Sequence, residues 1–150
     1  MKLATALSER ADLKRRIAEL SVRLNNNAKV QEGEQPSEDP NALLSELDGY
    51  MNRLEELIAR INKTNNETKD GACTITDLIA KRDCLKERIR IMRDFLNASS
   101  EKVSRYSKAE IKVYSTVSVA ALQKQTDKYS ALLRETDERI QSLNWTTDLI

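Results

Sequence analysis

The sequence contains no histidine among its 150 residues. Histidine is the side chain that most often activates a serine or cysteine nucleophile, and it also binds most transition metals. The three glycines, Gly33, Gly49 and Gly71, are isolated and provide no phosphate-binding loop. The sequence therefore predicts no catalytic residues, no metal site and no cofactor, and it favours a non-enzymatic function.

Residues that interrupt helices are also scarce, since there are 3 glycines and 2 prolines, and only 4% of the residues are aromatic. Charged residues make up 33% of the chain, and this composition favours long helices with aliphatic seams over a β-sandwich. No run approaches about 20 consecutive apolar residues, so we expect no membrane-spanning helix. The first ten residues lack the apolar region of a secretory signal, and we expect a cytoplasmic protein.

Apolar residues recur with heptad spacing in four segments of the chain. We therefore predict a mainly all-α fold of four long amphipathic helices, forming an antiparallel bundle or coiled-coil arrangement in a single domain over residues 1–150. The second helix has the most regular seam. Its two rows are Leu44, Met51 and Ile58, and Leu47, Leu54 and Ile61. The predicted helices cover about residues 2–26, 41–65, 75–103 and 118–143.

Two segments between the helices lack this spacing. Residues 27–40 contain both prolines and are predicted to form a loop, and Asp39-Pro40 is a favourable helix start. Residues 110–117 alternate and are rich in β-branched side chains, which predicts a short β element or extended segment. A strand there would pair with the region around Val30 or with the same segment of another subunit.

Charge is unevenly distributed along the first half of the chain. Residues 1–30 carry seven basic and three acidic side chains, whereas residues 31–60 carry two basic and eight acidic ones. This asymmetry predicts that the first two helices lie side by side with matched charges. Because narrow seams bury a modest area per chain, we expect a homo-oligomer that acts as a self-associating scaffold or interaction module for protein partners.

Three further side chains carry expectations about packing. Cys73 and Cys84 would be separated by roughly 16 Å along one helix, too far for a disulfide bond. We interpret Cys84 as a core residue and Cys73 as a thiol at the end of a loop, and an intermolecular or redox-sensing thiol is the alternative. Trp145, the single tryptophan, is expected to pack back onto the helices.

A basic strip on the third helix is the first candidate binding surface. Spacings of four, four and three place its members on one narrow face. One interpretation is contact with nucleic-acid phosphates. The favoured alternative is ion pairing with Asp48, Glu55 or acids of the last helix, because no aromatic residues accompany the strip. The strip consists of Arg82, Lys86, Arg90 and Arg93.

Polar segments after the first and third helices form the second candidate surface. Loops carry binding residues disproportionately, so these segments could bind a small ligand or support an enzyme activity. Helix capping and strand pairing are the favoured alternative for such residues. The candidate residues are Asn25, Asn26, Asn27, Lys29, Gln31, Arg105, Tyr106 and Lys108.

Four stretches of the sequence resemble those of a family of short bacterial proteins, some of which are labelled septicolysin. The resemblance extends over essentially the whole chain. It implies a helical bacterial protein and identifies no catalytic residues. The stretches are Asn25-Asn26-Asn27-Ala28-Lys29-Val30-Gln31-Glu32-Gly33-Glu34, Glu38-Asp39-Pro40, Ser104-Arg105-Tyr106-Ser107 and Leu143-Asn144-Trp145-Thr146-Thr147-Asp148-Leu149.

Overall fold

The structure is a computed structural model that describes residues 1–100 and 111–150. These residues contain four long α-helices, so the prediction of a mainly all-α fold is confirmed. The described helix ends lie within one turn of the predicted ones. The helices are α1 (Leu3–Asn26), α2 (Pro40–Glu67), α3 (Ile75–Ser100) and α4 (Val119–Thr146).

A small β element lies between α2 and α3. Strands β1 (Lys69–Asp70) and β2 (Cys73–Thr74) pair antiparallel, and Gly71 occupies the connecting turn with φ +64. Glycine at the first central position of a two-residue hairpin loop favours this kind of tight turn. The sequence predicted a short strand or an extended segment at residues 110–117, and of these two alternatives the strand is not formed in the described part of that segment. Residues 111–117 and the region around Val30 form no strand, and residue 110 lies outside the described residues.

The described residues form two compact units. The first unit consists of Met1–Thr74 and Leu143–Ile150, and the second unit consists of Ile75–Ser142. A single domain over residues 1–150 stays a prediction.

In the first unit, α1 and α2 lie side by side and share a buried core. Two ion-pair contacts join them at its edges. Glu9 accepts two hydrogen bonds from Arg53, at 2.7 and 3.1 Å, and Arg23 lies 3.7 Å from Glu46. The Arg23–Glu46 pair has the sense that the sequence predicted, a base of α1 against an acid of α2, whereas the Arg53–Glu9 pair has the reverse sense. The buried core residues are Leu3, Ala6, Leu13 and Leu20 of α1 and Leu43, Leu57 and Ile61 of α2.

The chain returns to α1 after α4 and forms a tail clasp, defined as residues 147–150. The Leu3 amide donates to the Thr147 carbonyl at 2.9 Å, and the Leu149 amide donates to the Met1 carbonyl at 2.8 Å. The first of these bonds satisfies the Leu3 amide, which has no acceptor within α1 because it belongs to the first residue of the helix. The clasp therefore joins the beginning of α1 to the end of α4.

Thr64 joins the tail clasp to α2. Its side chain is fully buried, its hydroxyl donates to the Arg60 carbonyl at 2.8 Å, and it accepts from the Ile150 amide at 3.0 Å. Leu149 is the clasp side chain that is buried. Trp145 is 66% exposed, so the expectation that it packs back onto the helices is wrong. The clasp fills that part of the first unit instead.

In the second unit, two buried threonines of α4 accompany the apolar residues. Thr126 and Thr136 each donate to the backbone carbonyl four residues earlier, at 2.8 Å, so both buried hydroxyls are satisfied within the helix. Arg88 donates to the Tyr129 hydroxyl at 2.7 Å and joins α3 to α4. The buried apolar residues are Ile75, Leu78, Leu85 and Ile89 of α3 and Ile140 of α4.

The core of the first unit can be tested with two leucines of α2. We expect Leu57→Ala to lower the free energy of unfolding by about 2–5 kcal/mol, because its fully buried side chain would leave a cavity. Leu44→Ala is the matched control at a side chain that is 48% exposed, and its expected cost is about 0.5 kcal/mol or less. Urea unfolding followed by circular dichroism measures both. Equal costs would contradict the assignment of Leu57 to the core.

Candidate binding surfaces

One row of apolar side chains on α2 stays partly exposed in the described part of the chain. Leu44, Met51 and Ile58 are 48%, 47% and 37% exposed. The sequence analysis predicted that this row belongs to the buried seam of the bundle. The structure shows that the row is exposed, so that prediction is wrong for these three residues. We call the row with the acids beside it, Asp48 and Glu55, the α2 face.

The row is exposed because α2 turns a neighbouring row toward α1. Leu43, Leu57 and Thr64 are spaced by multiples of seven residues and are buried, and Leu47 and Leu54 lie half-buried beside them. The apolar arc of α2 therefore spans three rows. Leu43 and Leu57 were visible in the sequence as a third apolar row, and that excess was the signal that α1 alone could not bury all three rows.

The middle of the α2 face is a shallow groove of about 430 Å³. It is lined by Met51, Leu54, Glu55, Ile58 and Ala59. The only charged residue among these five is an acid. The groove is thus an apolar surface with negative charge at its edge.

The second unit also has an exposed apolar helix face. On α3, Ile91 is 52% exposed and Phe95 is 46% exposed, on the side turned away from the buried Leu85 and Ile89. Cys84 lies on the same side and is an exposed free thiol, so its assignment to the core is wrong. We call this surface the α3 outer face; it consists of Ala80, Cys84, Ile91, Phe95 and Ala98.

The basic strip lies on another side of α3, and half of it is neutralised by acids of the same helix. Arg82 contacts Asp83 at 2.9 Å, and Arg90 contacts Glu87 at 2.6 Å and Asp94 at 3.2 Å. The Arg90 guanidinium lowers the pKa of Glu87 by hydrogen bonding to its carboxylate. The described pairing partners thus come from α3 itself and not from Asp48, Glu55 or α4.

The other two members of the strip keep their charge available. Within residues 1–100 and 111–150, Lys86 and Arg93 form no ion pair. They lie seven residues apart and line one groove of about 270 Å³ together with Ile89, Leu133 and the paired Arg90 and Asp94. Among the described residues, the basic strip is therefore reduced to two unpaired cations, and both line a groove that also holds the Arg90–Asp94 pair.

The polar loop after α1 forms one hollow of about 430 Å³. Of the predicted residues, the structure brings Asn26, Asn27, Lys29 and Gln31 together around it, whereas Asn25 lies outside the lining. The three candidates from the segment after α3 lie outside the described residues. They are Arg105, Tyr106 and Lys108.

Asn27 holds this loop against the end of α1. Its side chain is buried, its Nδ2 donates to the Arg23 carbonyl at 2.9 Å, and its Oδ1 accepts from the Glu38 amide at 3.0 Å. Arg23 Nε also donates to Glu38 Oε2 at 3.0 Å. Asn27 thus has the capping role that was the favoured alternative, while Lys29 and Gln31 remain exposed.

The chain matches a family of unknown function, DUF6847, over residues 10–149. It belongs to this family. DUF6847 has no assigned activity, and none of the curated proteins matches the chain. The family match covers most of the chain and includes both candidate helix faces.

A solved structure is similar to the chain over its full length. It is described as a functionally unknown conserved protein from Corynebacterium diphtheriae, and it shares 37% sequence identity with this chain. The alignment covers 100% of this chain and 99% of the other, with a TM-score of 0.92. The DUF6847 chain thus has the fold of a bacterial protein, and neither description mentions septicolysin.

The described residues of the DUF6847 chain contain neither a clustered set of metal ligands nor a membrane-spanning helix. No group of three or more His, Cys, Asp or Glu side chains there could hold a metal ion. None of the helices in residues 1–100 and 111–150 is long and apolar enough to cross a membrane.

The Arg23–Glu38 contact makes the loop anchor sensitive to acid. The hydrogen bond from Arg23 lowers the pKa of Glu38 below its ordinary value of 4.5. Stabilisation by this pair is therefore complete above pH 4.5 and is lost as the pH falls through the lowered pKa. We expect Glu38→Gln to lower the Tm at neutral pH, and the difference from wild type to shrink in acid.

Thermal unfolding followed by circular dichroism across this pH range measures the effect. Glu34→Gln is the matched control, because Glu34 is an exposed acid of the same loop. A Tm difference for Glu38→Gln that persists unchanged in acid would show that the ion pair does not anchor the loop.

Proposed function

We propose that this protein is a non-enzymatic interaction module that self-associates. The observation that supports the proposal is that each unit leaves an apolar helix face uncovered, the α2 face in the first and the α3 outer face in the second. Contiguous exposed apolar surface is typical of protein–protein contact sites. The chain's lack of histidine supports a function other than catalysis. A cytoplasmic location and the septicolysin label stay predictions from the sequence.

Self-association is assigned to the α3 outer face because of the charges beside it. Glu87 and Asp94, which also contact Arg90 of the same helix, flank one side of this face. Lys81 and Arg88 flank the other side, and Arg88 also donates to the Tyr129 hydroxyl. When two copies of such a helix pair in parallel, the acidic flank of each lies opposite the basic flank of the other. A second copy of the chain is therefore a charge-matched partner for this face.

Apolar burial would provide the driving force. Fully burying an isoleucine or phenylalanine side chain stabilises an association by about 1.5–3 kcal/mol relative to full exposure. Ile91 and Phe95 are about half exposed, so each recovers about half of that amount. A dimer buries two copies of each side chain, and neighbouring Cys84 and Ala98 add smaller contributions.

Size-exclusion chromatography with light scattering tests the self-association. We expect wild type to be larger than a monomer at micromolar concentration, and the double variant Ile91→Glu with Phe95→Glu to be monomeric, since buried carboxylates in the contact are costly. The control, Asn97→Glu with Gln125→Glu, adds the same charge at other exposed positions of the second unit. A monomeric wild type would disprove the proposal.

Nucleic-acid binding is the second candidate function. It is supported by Lys86 and Arg93, which form no ion pair among the described residues and lie about 10 Å apart along α3. Phosphates attract such free cations, and each contact releases a counterion from the nucleic acid. The other two arginines of the basic strip contribute less because acids already neutralise them.

Fluorescence anisotropy with labelled duplex DNA and RNA tests this candidate. We expect Lys86→Glu with Arg93→Glu to weaken binding and to reduce the salt slope by about two. The control is Lys124→Glu with Lys128→Glu, which makes the same charge change at exposed positions of α4. Absence of binding at low salt, or equal losses in both variants, would rule out the strip as a nucleic-acid site.

A further inference from the structure

We infer that the α2 face binds an amphipathic helix of another protein, one whose apolar row is flanked by lysine or arginine side chains. The inference rests on the proposed role as an interaction module. It concerns a different unit and a different surface from the self-association, so each can fail without the other.

The spacing of the α2 face fits a helix as its occupant. Leu44, Met51 and Ile58 repeat every seven residues and extend over about 21 Å of helix, which is two heptads. A helix with the same repeat can insert its apolar side chains between them along this whole length. Met51 lies at the centre, and its flexible side chain can adjust to the shape of a partner.

The residues on one side of this row allow a close approach. Ser45, Asn52 and Ala59 also repeat every seven residues, are exposed and have short side chains. Packed helices approach to about 8–10 Å between axes, depending on the side chains at the contact. The short row therefore leaves room for a second helix to lie against Leu44, Met51 and Ile58.

The charge of the α2 face selects the kind of helix. Asp48 and Glu55 alternate with the apolar residues, are exposed, and have no ion pair within the described parts of the chain. The basic residues of this part of α2 are engaged elsewhere. Arg53 contacts Glu9 at 2.7 Å, and Arg60 contacts Glu56 at 3.3 Å. The face thus presents negative charge alone.

A second copy of the chain fits the α2 face poorly. In a symmetric α2–α2 contact, Asp48 and Glu55 would lie opposite the same two acids, and like charges across a helix contact oppose pairing. The α3 outer face differs because it has flanks of both signs. A cationic helix, in contrast, can pair a basic side chain with each of the two free acids while it covers the apolar row.

Two model peptides test the inference. Each has three heptads with leucine at the two seam positions, and the flanking positions are lysine in one peptide and glutamate in the other. We expect the lysine peptide to bind at least about tenfold more tightly by fluorescence anisotropy, with an affinity that falls as salt rises. Equal affinity for the two peptides would overturn the inference.

Variants of the protein identify the surface. Asp48→Lys with Glu55→Lys should reverse the preference toward the glutamate peptide, and Met51→Glu should weaken the binding of both peptides. Glu32→Lys with Glu34→Lys is the matched control, since it makes the same charge change at exposed positions of the loop. A reversal in this control as well would mean that net charge, and not the α2 face, selects the peptide.

The self-association measurement separates the two proposals. If Met51→Glu lowers the molar mass in light scattering, a second copy covers the α2 face, and the inference is wrong. The opposite outcome is also possible: the lysine peptide fails to bind, while wild type is an oligomer and the variant Ile91→Glu with Phe95→Glu is a monomer. In that case the self-association stands and only the cationic partner is rejected.

Discussion

A helix can bury only the part of its surface that a neighbour covers, and α2 has more apolar surface than α1 takes. Leu43, Leu57 and Ile61 fill the contact with α1, while Leu44 and Met51 stay exposed on the adjacent row. The first unit is complete without that row, since the tail clasp and Thr64 close the rest of its core. The α2 face therefore stays partly exposed after the core of the first unit is filled.

Charge gives the two exposed faces different preferences. The α2 face has acids alone, and the α3 outer face has acids on one side and bases on the other. Apolar contact supplies affinity on both faces, but it discriminates weakly between partners. The flanking charges would then decide that one face accepts a copy of the chain and the other a cationic partner.

The sequence predicted the helices well because heptad spacing and loop composition act locally. It also predicted that α1 and α2 lie side by side, because the first segment is rich in basic residues and the second is rich in acidic residues. It did not show which of the three apolar rows on α2 faces α1. Periodicity identifies the rows that are apolar enough to be buried, but it does not identify the row that a neighbouring helix covers. Cys84 and Trp145 were misplaced for the same reason: their burial depends on where other segments run.

The position of Trp145 also makes intrinsic tryptophan fluorescence a probe of one place in the structure. A protein with one tryptophan emits indole fluorescence from a single place, and here that place is the last turn of α4, directly before the tail clasp. The indole is 66% exposed, so its emission already reflects contact with water. A shift toward shorter wavelength on adding a partner would thus indicate that something has covered this end of the first unit, without any attached dye.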